Sequence, residues 1–153
     1  MQKVEYITTE KVTGIMRRLD FFSAFTNSEL ARLSEFHTNF FVYEKDEKII
    51  EEGNLSNAFY IILSGGVVVV KGNVRMPLAR LESGDFFGEI AFLTGVPRTS
   101  GVISDDTTIT IRINRSMLDR LTPDIREKIK DKIILKLIER LGKMNDVVAS
   151  LAE

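Results

Sequence analysis

A chain of 153 residues is long enough for one domain with a proper core and leaves little room for a second. Its net charge of −1 and isoelectric point near 6.0 argue against a general phosphate-backbone binder, since nucleic-acid domains carry a clear basic excess. The lack of cysteine excludes disulfides, thiolate catalysis and zinc–thiolate sites, and a single histidine, His37, excludes a His-rich metal cluster.

The N-terminus lacks the apolar stretch of a signal peptide. No apolar run approaches a membrane span, the longest candidate (residues 60–70) being interrupted by Ser64-Gly65-Gly66. The expected location is therefore the cytoplasm, with no membrane partner. The start at Met1 fits a complete small protein and an expressed fragment equally well.

In chain order, the ends read as helix and the middle as sheet. Residues 8–19 have helical spacing, with Val12, Ile15, Met16 and Leu19 on one side. Thr26-Asn27-Ser28-Glu29 matches a capping box and starts a second, shorter helix carrying Leu30 and Leu33. The N-terminal helices thus occupy residues 1–35, and Arg17-Arg18 reads as a solvated helix face.

Over residues 36–114 short β-branched and aromatic runs alternate with turn residues. The runs are 40–43, 49–50, 59–63, 67–70, 74–81, 101–104 and 107–113, with turns at Gly53-Asn54, Gly65-Gly66, Gly72-Asn73 and Ser83-Gly84-Asp85. Seven or so short strands with regular turns predict a mainly β fold, an antiparallel roll or jelly-roll-like barrel flanked by helices. The ten phenylalanines, Phe21, Phe22, Phe40 and Phe41 among them, are expected in the core. Helix returns over 115–153. Asn114 caps a short segment, and Thr122-Pro123-Asp124 is a strong start signal for a longer one. With no repeat and no linker, residues 1–153 read as a single domain.

One segment, residues 86–100, is neither a hairpin nor a full helix: Phe86-Phe87-Gly88-Glu89-Ile90-Ala91-Phe92-Leu93-Thr94-Gly95-Val96-Pro97-Arg98-Thr99-Ser100. Gly88 allows close approach of a ligand or another backbone. Residues 89–93 suffice for about one helical turn, whose free N–H groups favour an anion. Gly95 and Pro97 end that turn just before Arg98. Arg98 suits a phosphate oxyanion, and Glu89, an acceptor when ionised, suits a sugar hydroxyl. An anion and a hydroxyl on one small ligand describe a nucleotide.

The segment resembles the phosphate-binding cassette of cyclic-nucleotide-binding domains, as found in protein kinase A regulatory subunits, catabolite activator protein and nucleotide-gated channels. Phe21-Phe22, Glu29-Leu30, Glu52-Gly53, Tyr60-Ile61-Ile62 and Ser64-Gly65 fall in family order around Gly84-Asp85-Phe86-Phe87-Gly88-Glu89. The resemblance implies a ligand-binding module with no catalytic residue and no metal. Its ligand would be cyclic AMP, with cyclic GMP as the alternative. It assigns Glu89 to the ribose 2′-hydroxyl and Arg98 to the cyclic phosphate. The amides of Ile90 and Ala91, with Thr99, would complete the phosphate shell beside Gly88. Val69, Leu78 and Phe87 would face the sugar and base. Two positions depart from the family: Asp46 and Ser56 stand where glycines are usual, and Asp tolerates left-handed backbone better than most residues.

In the last helix Ile134, Leu137, Leu141, Met144, Val148 and Leu151 follow 3-4-3-4-3 spacing, while Ile125, Ile129, Ile133 and Ile138 add further apolar surface. By the resemblance to catabolite activator protein, this helix pairs two subunits and covers the nucleotide, so a homodimer is expected. Arg140 and Leu141 fall where that family presents hydroxyls to the base. Gly142 weakens the helix by roughly 1 kcal/mol relative to alanine and gives a place where its end could bend or fray. Nothing after Leu151 forms a winged helix, so this chain alone would bind no nucleic acid. A truncated transcription factor, or a regulatory part of an enzyme or channel, remains the alternative. A cupin-type enzyme would need several histidines.

Overall fold

The computed structural model describes residues 2–3, 8–73 and 76–152. It falls into two compact units, Met1–Arg120 and Leu121–Glu153.

In the first unit the described residues form nine strands in two antiparallel sheets, an antiparallel β-roll. The five-stranded sheet has the order β1-β2-β9-β4-β7, and the four-stranded sheet has the order β3-β8-β5-β6. The strands are β1 (Gln2–Lys3), β2 (Phe40–Tyr43), β3 (Lys48–Ile50), β4 (Phe59–Ser64), β5 (Gly66–Lys71), β6 (Met76–Glu82), β7 (Phe86–Phe87), β8 (Gly101–Ser104) and β9 (Thr108–Ile113). Residues 74 and 75, expected to open a strand, lie outside the described residues.

Burial explains the strand order. The first five residues of β4 are all buried, as befits a strand paired on both sides and covered on both faces. By contrast β6 exposes nearly every residue and includes Pro77, which an edge strand tolerates because one row of its N–H groups is unpaired. The expected left-handed position is real: Asp46 has φ 72°, between β2 and β3.

Two helices lie between β1 and β2, so residues 1–35 are not the purely helical stretch expected: Gln2 and Lys3 join the sheet through their pairing with Val42 and Phe41. The first, α1 (Thr9–Arg17), is capped by Thr8 and buries Val12 and Met16. The second, α2 (Asn27–Ser34), has the full capping box between Thr26 and Glu29 and buries Leu30 and Leu33. Phe21 and Phe22 lie in a short 3₁₀ turn between them, and Phe21 meets Phe86 edge-on at 5.8 Å. His37 begins another 3₁₀ turn and is exposed.

The pair Phe86-Phe87, read from the sequence as the cassette's beginning, is a two-residue strand hydrogen-bonded to β4 in the register Tyr60↔Phe87 and Ile61↔Phe86. Alternation along the strand sends the two rings to different places. Phe86 goes to the helical pair. Phe87 stacks on Tyr60 (5.0 Å between centroids, 9° between planes) within a cluster of Ile50, Ile62, Val67 and Val102. The cassette is therefore rooted on the best-buried strand of the fold. A third helix, α3 (Glu89–Thr94), follows at once, and α4 (Arg115–Asp119) ends the unit, its Asn114 cap accepting from the Met117 amide at 2.8 Å.

The second unit is one helix, α5 (Pro123–Ala152). Thr122 accepts from the Ile125 and Arg126 amides, as its start signal requires. The helix is continuous through Gly142, a single glycine costing only about 1 kcal/mol in a long helix. Ile125, Ile129 and Ile133 are buried, whereas Ile138, which the sequence grouped with them, is not. From Ile134 onward Ile134, Leu135, Ile138, Leu141, Met144, Val147, Val148 and Leu151 are 54–82% exposed. No described helix is long and apolar enough to cross a membrane.

Candidate functional site

The site is organised by the segment between β7 and β8. Gly88 has φ +84°, a conformation costly for residues with a Cβ. A Cβ there would also lie 2.9 Å from Arg98 Nη1, 3.0 Å from the Ala58 carbonyl and 3.2 Å from Ile50 Cδ1. Glycine is thus required twice over. It turns the chain into α3, and the amides of that helix's first turn have no intrahelical acceptor. Gly95, at φ +75°, ends the helix. Three residues later the chain reaches Arg98.

Arg98 is 4% exposed and Glu89 is 7% exposed, so neither is the ordinary surface charge that a bland reading would make it. Arg98 Nη1 donates to the Gly88 carbonyl at 2.9 Å, and Nη2 donates to the Ala58 carbonyl at 2.5 Å and to Ser56 Oγ at 3.4 Å. All three acceptors are neutral. Nε is buried with no hydrogen-bond partner. Burial lowers the pKa of the guanidinium, while Tyr60 and the Glu89 carboxylate, close enough to act by charge, work to raise it.

The loop between β3 and β4 clasps the arginine. The Gly53 amide donates to the Arg98 carbonyl at 2.8 Å, and the Arg98 amide donates to the Asn54 carbonyl at 2.9 Å. Asn54 Oδ1 accepts from the Ser56 amide at 2.7 Å, which sets the loop's bend and brings the Ser56 hydroxyl to the guanidinium. The serine that stood out as a departure from the family is therefore part of the arginine's shell. Its role, and that of the Ala58 carbonyl, were missed because neither has a chemical signature in sequence. Likewise unforeseen is Arg115, which donates to the Phe92 carbonyl at 3.0 Å and lies 4.4 Å over the Phe92 ring. It ties α4 to the C-terminal part of α3, and Phe92 packs edge-on against Phe59 of β4 at 4.8 Å.

The remaining expected positions are less uniform. Ala91 is buried, Ile90 is 50% exposed and Thr99 is exposed. Leu78 is 52% exposed on the edge strand β6, Val69 is half-buried against the inner cluster, and Phe87 is 3% exposed. Leu55, Leu93 and Val96 add exposed apolar side chains on the cassette and its clasping loop. A cavity of 490 Å³ borders the clasping loop, with Ile50, Glu52 and Gly53 in its lining beside Lys48, Val70 and Gly101, and none of the expected ligand-binding residues lines it. Among the described residues no group of three metal-ligating side chains converges.

Residues 40–123, more than half of the chain, match the cyclic nucleotide-binding domain family. A cAMP-dependent protein kinase regulatory subunit of Debaryomyces hansenii is 39% identical over 80 residues, 52% of this chain and 18% of its own. A cGMP-dependent protein kinase of Plasmodium berghei is 39% identical over 92 residues, 60% of this chain and 10% of its own. This chain thus spans a fifth or less of either relative. Among solved structures, a cyclic nucleotide-binding domain from Methylobacillus flagellatus superposes with a TM-score of 0.74 at 22% identity, covering 92% of this chain and 82% of its own. The protein belongs to the cyclic nucleotide-binding domain family.

Proposed function

We propose that this chain is a cyclic-nucleotide sensor whose cassette binds cyclic AMP. The observation that carries the reading is the state of Arg98. A guanidinium almost wholly buried, held by neutral acceptors and with one donor unmet, is an arrangement that a bound anion stabilises. Glu89 then takes the ribose 2′-hydroxyl. The Ile90 and Ala91 amides and Thr99 complete the phosphate shell beside Gly88, and Val69, Leu78 and Phe87 serve the sugar and base. The chemistry asked of the chain is binding, not bond-making.

Ligand binding would act through linkage, favouring one placement of α5 over another. The exposed apolar residues of α5 support pairing of two chains through that helix, because leaving so many aliphatic side chains in water is costly at roughly 1.5–3 kcal/mol for each full burial forgone. In this reading residues 1–153 work as one regulatory module, in the cytoplasm, alone or as part of a larger kinase subunit, channel or activator. Cyclic GMP is the second ligand to test, since one of the relatives at 39% identity is a cGMP-dependent kinase.

Titration calorimetry on nucleotide-stripped protein with cyclic AMP, cyclic GMP and AMP tests the proposal. Cyclic AMP should bind most tightly. AMP should bind more weakly despite its greater charge, because an open phosphate swings away from a fixed guanidinium. Equal affinity for cyclic AMP and AMP would make this a general anion site.

A further inference from the structure

We propose that Lys71, at the end of β5, is a positioning residue that fixes the exit of the cassette, a role that rests on the cyclic-nucleotide reading above. Lys71 Nζ donates to the Thr99 carbonyl at 2.8 Å and lies 3.8 Å from Glu52 Oε1. The other oxygen of Glu52 accepts from the Gly72 amide at 2.9 Å. Lys71 and Glu52 therefore form a strap over three segments: the β3–β4 loop, the end of β5 and the cassette exit.

The position of the strap matters. Both main-chain groups of Arg98 are taken by Gly53 and Asn54, and β8 pairing with β5 resumes at Gly101↔Val70. Between these two fixed points Thr99 and Ser100 run outside the sheets, and Thr99 itself is exposed. The bond from Lys71 holds the Thr99–Ser100 peptide, while the Arg98–Thr99 peptide, which carries the Thr99 amide, is held by Gly53, so the two bonds together fix the backbone from which the Thr99 hydroxyl projects. An ammonium donating to a carbonyl is stronger than a neutral pair, although water screening at this half-exposed site reduces it. The bland alternative is a solvated lysine that touches the loop without ordering it. A second alternative is a cation that draws the phosphate through space.

The test compares the wild type with Lys71→Met and Lys71→Arg in the whole chain. Two quantities are read: the cyclic AMP dissociation constant, and the backbone order of Thr99 and Ser100 by ¹⁵N relaxation without ligand. Lys71→Met should weaken binding about fivefold and loosen both residues with the melting temperature nearly unchanged, and Lys71→Arg should restore both quantities. Weaker binding with unchanged order at 99 and 100 overturns the proposal in favour of through-space attraction. Wild-type affinity in Lys71→Met overturns it outright. If the wild type binds no cyclic nucleotide, the reading of the site falls, and the relaxation data still decide whether the strap orders the exit.

Discussion

Replacing Gly88 and Gly95 by alanine, one at a time, separates the backbone demands of the cassette from its packing demands. Both glycines have left-handed φ, +84° and +75°, and they flank the same short helix. An L-residue in that region costs roughly 1–2 kcal/mol at either site. The surroundings differ. A Cβ on residue 95 meets nothing within 4 Å, whereas on residue 88 it presses on the Arg98 guanidinium, the Ala58 carbonyl and Ile50. Arg98 Nη1 cannot simply swing aside, because it is hydrogen-bonded to the carbonyl of Gly88 itself. Overpacking of this kind adds about 1–3 kcal/mol, which puts Gly88→Ala at about 2–5 kcal/mol in all.

Urea unfolding measures the stability change, provided the slope stays constant so that the midpoint alone moves. Calorimetry with cyclic AMP then measures what happens to the site. Gly95→Ala should lose about 1–2 kcal/mol of stability and keep affinity within about threefold, since its strain lies at the far end of α3. Gly88→Ala should lose clearly more stability and at least about thirtyfold in affinity, because the displaced guanidinium is the proposed phosphate partner. Equal losses in the two variants would refute the claim that close packing at residue 88 positions Arg98.

Two further outcomes are expected. Arg98→Lys should lose at least about thirtyfold in cyclic AMP affinity with the fold retained by circular dichroism, because a lysine has neither the planar fork nor a donor equivalent to Nε; near-wild-type affinity would mean that only charge matters at this position. A double substitution on α5, Leu141→Glu with Val148→Glu, should give a folded monomer in sedimentation velocity where the wild type sediments as a dimer, and a wild type that is monomeric at micromolar concentration removes the pairing proposal.

The fold was legible where local chemistry is self-sufficient. The capping box at Thr26 and Glu29, the caps at Asn114 and Thr122, and Asp46 in a left-handed turn each depend on a few neighbouring residues, and each appears as expected. The cassette's run from Gly88 to Arg98 was visible for the same reason. What surrounds Arg98 was not. Ala58 contributes only a carbonyl, and Ser56, 42 residues from Arg98 in sequence, reaches the guanidinium because Asn54 bends the loop. Long-range partners that act through main-chain atoms leave no pattern to read. The strand at Phe86-Phe87 was hidden differently: with two residues it has no periodicity, and it exists through its register with Tyr60 and Ile61. On α5 the spacing groups Ile138 with Ile125, Ile129 and Ile133, yet the three are buried and Ile138 is exposed, a difference that periodicity alone does not encode.

On the proposed function, the arrangement around Arg98 suits an anion better than it serves the stability of the fold. Its neutral acceptors belong to different segments: Gly88 to the cassette entry, Ser56 and Ala58 to the loop that leads into β4. An unmet buried donor costs about 1–3 kcal/mol, so a fold selected for stability alone would do better with an apolar side chain in this position. On the proposed function a phosphate repays that cost and draws the guanidinium toward itself, which alters its hold on both segments together. The entry segment continues into α3, which Arg115 fastens to α4, and α4 is followed directly by the start of α5. On that proposal, a charge arriving at Arg98 would act on a continuous run of the chain from the cassette to α4, through contacts that the structure already holds.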